Sequence, residues 1–299
     1  MPLATDNFLD IDDVSPAELD ALLDRAAAMK AGETDPRLGD ATLGMIFEKP
    51  STRTRLSFEV GMTQLGGHAV FLGEEDIQLG RGEPVADTAR ALGLYADAVM
   101  ARVNSHDDLE TLAANAGVPV VNGLSDRTHP AQTLADLLTL REVVGETGTV
   151  TWVGDANNVA ASFLVGAAMA GYDVRAATPS EFGFDPSVVA RAEAYADTTG
   201  TKVSVGHDPE AAVEGADAVY TDVWVSMGDE AERERRLAAF EGFQVDSALL
   251  GDAAFMHCLP AHRGEEVTAA VVDGPNSVVW RQAENRLHAQ KALLVDLVG

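Results

Sequence analysis

A single cysteine, Cys258, stands in a chain of 299 residues. One cysteine excludes an intramolecular disulfide and any metal cluster built on several thiolates. No apolar run reaches membrane-spanning length, and the N-terminal residues lack a basic-then-apolar targeting pattern, so the expected compartment is the cytoplasm. The glycine spacing G-x-G-x-x-G is missing, which argues against a dinucleotide cofactor. Internal repeats and low-complexity segments are missing too. Lysine is scarce, with only Lys30, Lys49, Lys202 and Lys291.

What the chain has in excess is acid. Its 48 acidic residues oppose 21 basic ones, for a formal net charge of −27. Such a surface repels nucleic acid and anionic membranes, so neither is an expected partner. Acid excess and lysine shortage together read as adaptation to a salt-rich cytoplasm, where screening removes most self-repulsion. An acidic protein of an ordinary cell is the other reading. A hydrophobic content of 46% argues against disorder, and the length suffices for two domains with sizeable cores.

Ser15-Pro16-Ala17-Glu18 is a capping box with proline at the first helical position, predicting a helix to about Ala31. Short apolar runs then alternate with longer helical patterns. Strands are predicted at 42–47, 69–72, 98–103 and 118–121, with helices near 52–65, 84–96 and 107–116 and another after His129-Pro130. Gly145-Glu146-Thr147-Gly148 reads as a hinge, beyond which the alternation restarts. Strands follow at 149–153, 173–177, 202–205 and 218–221, with helices at 159–170, 186–198 and near 209–215. The apolar runs 253–256 and 278–280 and a helix from about Asn285 complete the chain. The expected fold is α/β: two doubly wound parallel-sheet domains, residues 1–145 and 146–299, with the last helix (about 285–299) packing back on the first domain. Ligands are expected at the carboxyl ends of strands.

The informative polar residues fall at those strand ends. In Ser51-Thr52-Arg53-Thr54-Arg55, hydroxyl and guanidinium groups meet a predicted helix start, where unpaired N–H groups and the macrodipole favour an anion. Planar guanidinium donors match phosphate oxygens. A helix cap with two solvated arginines is the plainer reading. Arg102 sits in an apolar run, which alone suggests no more than an ion pair. His129-Pro130-Ala131-Gln132 directs His129 and Gln132 toward a ligand at a helix start, or simply caps it. Trp152-Val153-Gly154-Asp155-Ala156-Asn157-Asn158 offers two carboxamides. Asp222-Val223-Trp224-Val225-Ser226-Met227-Gly228 offers a carboxylate for an ammonium group, or is an exposed turn. His257-Cys258-Leu259-Pro260 suggests a shaped strand end with a cis Leu259–Pro260 bond, and Arg281 is expected at a strand end like Arg102. His106, His207 and His262 read as satisfied loop or surface residues, and the sequence presents no metal-ligand cluster.

In this order the motifs resemble the aspartate/ornithine carbamoyltransferase family, specifically its ornithine-using branch, over nearly the whole chain. The 51–55 loop is similar to the family's carbamoyl-phosphate loop, and His129-Pro130-Ala131-Gln132 to its H-P-x-Q. The segment Gln78-Leu79-Gly80-Arg81-Gly82-Glu83-Pro84 resembles the loop that reaches into a neighbouring subunit's site. Asp222 with Ser226-Met227-Gly228, and His257-Cys258-Leu259-Pro260, mark the ornithine branch. The resemblance implies an active site in the cleft between the two domains, and a homotrimer that can assemble further.

It also implies roles. Carbamoyl phosphate would be bound by Ser51, Thr52, Arg53, Thr54, Arg102, His129, Pro130, Ala131, Gln132, Cys258, Leu259 and Arg281, with Gln78 from an adjacent chain. Ornithine would be bound by Asn158, Asp222, Ser226 and Met227. Arg102, His129, Asp222 and Cys258 would be the catalytic set. The implied reaction is attack of the neutral ornithine δ-amine on carbamoyl phosphate, giving citrulline and phosphate or running in reverse. It needs no metal, cofactor or covalent enzyme intermediate. Asp222 and Cys258 would orient the amine, and the departing phosphate is a further possible proton acceptor. A carbamoyltransferase acting on putrescine or another amine, a non-catalytic homologue and a nicotinamide oxidoreductase are the competing readings.

Overall fold

The computed structural model describes residues 3–34, 36–78, 82–226 and 230–299. The chain divides into two compact units, one of residues 1–138 and 284–299, the other of residues 139–283. Among the described residues, no helix is long and apolar enough to cross a membrane.

The first unit opens with α1 (Pro16–Ala31), started by the Ser15–Glu18 capping box and ended by Gly32 in the left-handed region at φ 73°. Its sheet contains β1 (Thr42–Phe47), β2 (His68–Gly73), β3 (Ala98–Arg102) and β4 (Val120–Leu124), all parallel in the order β2-β1-β3-β4. The crossovers run through α2 (Thr52–Gln64), α3 (Val85–Leu92) and α4 (His106–Ala116), and α5 (Pro130–Val143) follows β4. β1 and β3 are almost wholly buried, which is why they read as continuous apolar runs rather than alternating ones. The register slips between Ala101 and Arg102, where β4 advances two residues from Asn122 to Leu124. A bulge of this kind re-aims the side chain beside it, here Arg102.

The second unit repeats the plan with β5 (Thr149–Val153), β6 (Asp173–Ala177), β7 (Val203–Gly206), β8 (Ala218–Thr221) and β9 (Ala254–His257), parallel in the order β7-β6-β5-β8-β9. Its first crossover, α6 (Asn158–Met169), is buried from Val159 to Met169, so helical amphipathicity is absent there. Beneath it Trp152, Phe163 and Tyr220 interlock with ring centroids 4.8–6.2 Å apart. Burying each such side chain stabilises the fold by about 1.5–3 kcal/mol. Then follow α7 (Pro186–Thr199), α8 (Pro209–Val213), α9 (Arg233–Ala239), α10 (Ser247–Leu250), α11 (Ala269–Val272) and the long α12 (Val279–Val298).

Strand order reverses between β1 and β3 in one sheet and between β5 and β8 in the other. At such switch points the loops leaving adjacent strands diverge and leave a crevice at the carboxyl edge. One expectation fails. Residues 278–280 are not a strand: Ser277 makes one bridge to Phe255, and α12 begins at Val279. The apolar triplet leads into a helix, with Val279 buried and Trp280 exposed, and a three-residue window cannot distinguish that from a strand.

The α3–α4 contact supplies a stability test. A Cβ on Gly93 would lie 1.7 Å from the Ala116 carbonyl oxygen. Gly93→Ala is therefore expected to cost about 2–4 kcal/mol through forced separation of two helices. Urea unfolding, compared with wild type, measures it.

Candidate functional site

The first unit's site is built at the β1/β3 switch point. After β1, Glu48 donates its amide to the Arg102 carbonyl at 2.9 Å, and its carboxylate accepts from the Asn104 amide at 2.7 Å. These two bonds fix the exit path into α2. Ser51 caps α2, its Oγ accepting from the Thr54 amide at 3.2 Å. The remaining first-turn N–H groups lie at the positive end of a thirteen-residue helix that carries no acid in its first turn. Ser51 and Arg53 are half-buried, Thr52 is exposed and Thr54 is buried. Arg55 belongs elsewhere, stacked 3.8 Å over the Phe71 ring and paired with Glu59.

Arg102 ends β3 with 6% exposure, and His129 precedes α5 with 4%. The turn before His129 is held by Asn122, whose Nδ2 donates to the Leu9 carbonyl at 2.8 Å and to Thr128 Oγ1 at 3.0 Å. Pro130, Ala131 and Gln132 are buried in the helix that follows. Burial pushes the His129 imidazolium well below the usual histidine range, and the Arg286 and Arg102 guanidinium groups push it further. His129 is therefore neutral at neutral pH, suited to donate one hydrogen bond to a developing oxyanion without carrying a charge itself.

Arg286, on α12, completes this cluster and was not singled out by sequence reasoning. Only 3% exposed, it donates from Nη2 to Thr54 Oγ1 at 2.8 Å and from Nη1 to Gln132 Oε1. The sequence offered a signal: an arginine inside a helical pattern, flanked by Asn285 and followed by the apolar run of Leu293 and Leu294, lies on a buried face. Arg281, expected at a strand end, lies instead in the first turn of α12, its side chain 48% exposed and 3.9 Å from Glu142. The structure brings Ser51, Thr54, Arg102, His129, Gln132 and Arg286 into one constellation and leaves Arg281 on the surface. Gln78 is exposed, and residues 79–81 of its expected loop lie outside the described residues.

The second unit's site forms at the β5/β8 switch point around Asp222, 7% exposed at the end of β8. Asn157 caps α6 with its Oδ1, accepting from the amides of Val159 and Ala160, and its Nδ2 donates to Asp222 Oδ2 at 2.9 Å. The Cys258 thiol donates to Asp222 Oδ1 at 3.1 Å. Asn158 and Ser226 are half-buried nearby in sequence, and Met227 lies outside the described residues. Asp155 pairs with Arg236 at 3.0 Å, and Arg236 also donates to the Trp224 carbonyl, so α9 anchors the 222–226 loop.

Cys258 and Leu259 follow β9 directly. The buried His257 accepts the Leu259 amide on Nδ1 at 2.9 Å, so its Nε2 carries the proton and faces Glu266 at 3.2 Å. Leu259 adopts φ 61°, and the Leu259–Pro260 bond is cis. Ligand atoms of Asp222, His257 and Cys258 lie within 4.8 Å of one another, as do those of His262, Glu265 and Glu266. Sequence reading found no metal-ligand cluster because Asp222 is far from His257 along the chain. Hydrogen bonds to protein partners already engage the first group.

Two family profiles match the chain: the aspartate/ornithine carbamoyltransferase carbamoyl-P binding domain at residues 6–142 and the Asp/Orn binding domain at residues 146–297. The ornithine carbamoyltransferase of Haloquadratum walsbyi is 58% identical over 297 residues, covering 98% of both chains. The catabolic ornithine carbamoyltransferase of Halobacterium salinarum is 51% identical, covering 98% of this chain and 99% of its own. The solved Pyrococcus furiosus ornithine carbamoyltransferase superposes with a TM-score of 0.95 at 51% identity, covering 100% and 99%.

The neutral state of His129 carries a pH prediction. Below about pH 6.5 the unfolded chain binds a proton that folded His129 refuses, so stability falls as pH falls, by up to about 1.4 kcal/mol per unit. Above that range the contribution is complete and flat. His129→Gln cannot titrate, so the stability gap between wild type and variant should shift by about 1 kcal/mol between pH 6.5 and 5.5. Denaturant unfolding of both proteins in the same salt reads it. A gap independent of pH would contradict the assignment.

Proposed function

Because this chain belongs to the aspartate/ornithine carbamoyltransferase family, we propose that it transfers the carbamoyl group of carbamoyl phosphate to the δ-amine of L-ornithine, giving L-citrulline and phosphate. The observation that carries this is the pairing of two unlike sites. One unit concentrates guanidinium groups, hydroxyls and a helix N-terminus, which suit a phosphate. The other holds a buried carboxylate, Asp222, steadied by an amide and a thiol, which suits an amine.

Phosphate is held by Ser51, Thr52, Arg53, Thr54 and Arg102 and by Arg286 in the place expected of Arg281. Thr54, Arg102 and His129 polarise the carbonyl oxygen, with Gln132 on the carbamoyl amide and the Leu259 carbonyl on the same side. Ornithine is bound through Asn158, Ser226 and Met227, while Asp222 and Cys258 orient its side-chain amine. A free alkyl amine is protonated at neutral pH, so attack waits on loss of one proton to the Asp222 carboxylate, with the Cys258 thiol, which donates to Asp222, as an orienting group. The second proton, released as the C–N bond forms, goes to the departing phosphate. As the amine attacks, charge grows on the carbonyl oxygen and then on the leaving phosphate. Donors fixed before the reaction stabilise that charge with little reorganisation.

Carbamoylation of ornithine, putrescine and aspartate, measured side by side as phosphate release, tests the assignment: ornithine should be used far faster than the other two. Putrescine used equally well would overturn it. In the same assay Arg286→Gln should lower kcat/KM for carbamoyl phosphate about 100-fold or more, while Arg281→Ala stays within about threefold.

The homotrimer, with Gln78 reaching a neighbouring site, and the cytoplasmic location belong to the same proposal. Three features support self-association. β2 is an edge strand, Leu56 and Val60 are exposed one turn apart on α2, and Val70 is exposed on β2. At a net charge of −27, association of like chains is opposed at low ionic strength, where the screening length is about 30 Å at 0.01 M against about 3 Å at 1 M. Sedimentation should therefore find trimers and activity at molar salt, and loss of both in dilute buffer. Full retention in dilute buffer would count against the salt-adapted reading.

A further inference from the structure

The first unit's site is rich in donors and poor in acceptors. Arg102, His129, Arg286 and the α2 N-terminus all donate. The Gln132 carboxamide is the group able to offer a carbonyl oxygen, and only if it faces the right way. On α5, Gln132 Nε2 donates to Asp136 Oδ1 at 2.7 Å, one helical turn on, while Oε1 accepts from Arg286 Nη1. All three side chains are buried. The carboxamide thus lies between a carboxylate and a guanidinium. A flip would set its oxygen against the carboxylate and its N–H groups against the guanidinium, losing both charge-assisted bonds at once.

We infer that Asp136 is a positioning residue for substrate choice: by holding the Gln132 amide nitrogen, it keeps the Gln132 oxygen facing the anion site, where it selects an acyl phosphate bearing an N–H group. This rests on the carbamoyl-phosphate reading above. When substrate binds, phosphate oxygens give Arg286 stronger acceptors, and Gln132 Oε1 takes the substrate's NH2. An acyl phosphate with a methyl group in that place leaves Oε1 unpaired. Sites built to bond a donor reject analogues lacking it strongly, because a buried acceptor is left without a partner.

Acetyl phosphate and inorganic phosphate are the probes. In wild type, acetyl phosphate should compete with carbamoyl phosphate about 100-fold more weakly than carbamoyl phosphate binds. Asp136→Asn can present an amide N–H to Gln132 and permits the flip. We expect the preference for carbamoyl over acetyl phosphate to fall about tenfold or more, with inhibition by inorganic phosphate unchanged within about threefold. If Asp136→Asn does not fold, Asp136→Ser removes the same charge and carries the same expectation, and Asp136→Glu should restore part of the preference. An unchanged preference, or equal weakening of all three ligands, overturns the inference. Failure of wild type to make citrulline would overturn the function instead, which keeps the two separable.

Discussion

A guanidinium buried inside a protein has to be met by acceptors, and the way Arg286 is met organises the first unit's site. Its two bonds, to Thr54 Oγ1 and Gln132 Oε1, join the first turn of α2 to the first turn of α5 through the last helix. Neither acceptor carries a charge. These two bonds therefore orient the cation without neutralising it, and a carboxylate of the network, Asp136, lies one step further on, bonded to Gln132 Nε2. Removing one member of such a network leaves a buried charge underserved, a cost of about 3–5 kcal/mol where a partner is lost. A phosphate placed there would meet guanidinium donors already held in position, which suits the cluster to an anion.

The backbone explains why these groups meet. Each sheet reverses its strand order once. Ser51, Thr54 and Arg102 in one unit, and Asn157 and Asp222 in the other, lie at strand ends or helix starts beside that reversal, while His129 and Gln132 follow β4 and Cys258 follows β9, one strand further out. The bulge at Arg102 and the asparagine-held turn before His129 add local precision. In the second unit the same architecture holds an opposite charge. Asp222 is fixed by Asn157 and Cys258, one donor to each oxygen, so the carboxylate has a set orientation before any amine arrives. One plan, used twice, yields one site for an anion and one for a cation.

Where the sequence was sufficient, a local rule and the fold agreed. Capping residues at Ser15 and Ser51, apolar strands and polar strand ends all belong to short windows, and those windows held nearly every residue of both clusters. Arg286 escaped because its role depends on a contact 232 positions away from Thr54. Arg281 attracted attention for the opposite reason: three apolar residues before it read as a strand, whereas they lead into α12, where Val279 is buried and Trp280 is exposed. The Asp222–Cys258 bond was equally invisible, since it joins two loops through adjacent strands β8 and β9.

The net charge of −27 sets the final constraint. Exposed carboxylates act through water, so salt attenuates their field within a few ångströms at molar concentration. Arg102, His129 and Arg286 act inside a buried cluster, where ions in solution intervene little and the effective dielectric is lower. Salt thus removes the repulsion that would keep an anionic substrate away and leaves the attraction that holds it. The acidic surface and the basic site are compatible because they work through different dielectrics, and burial of the guanidinium groups is what separates them.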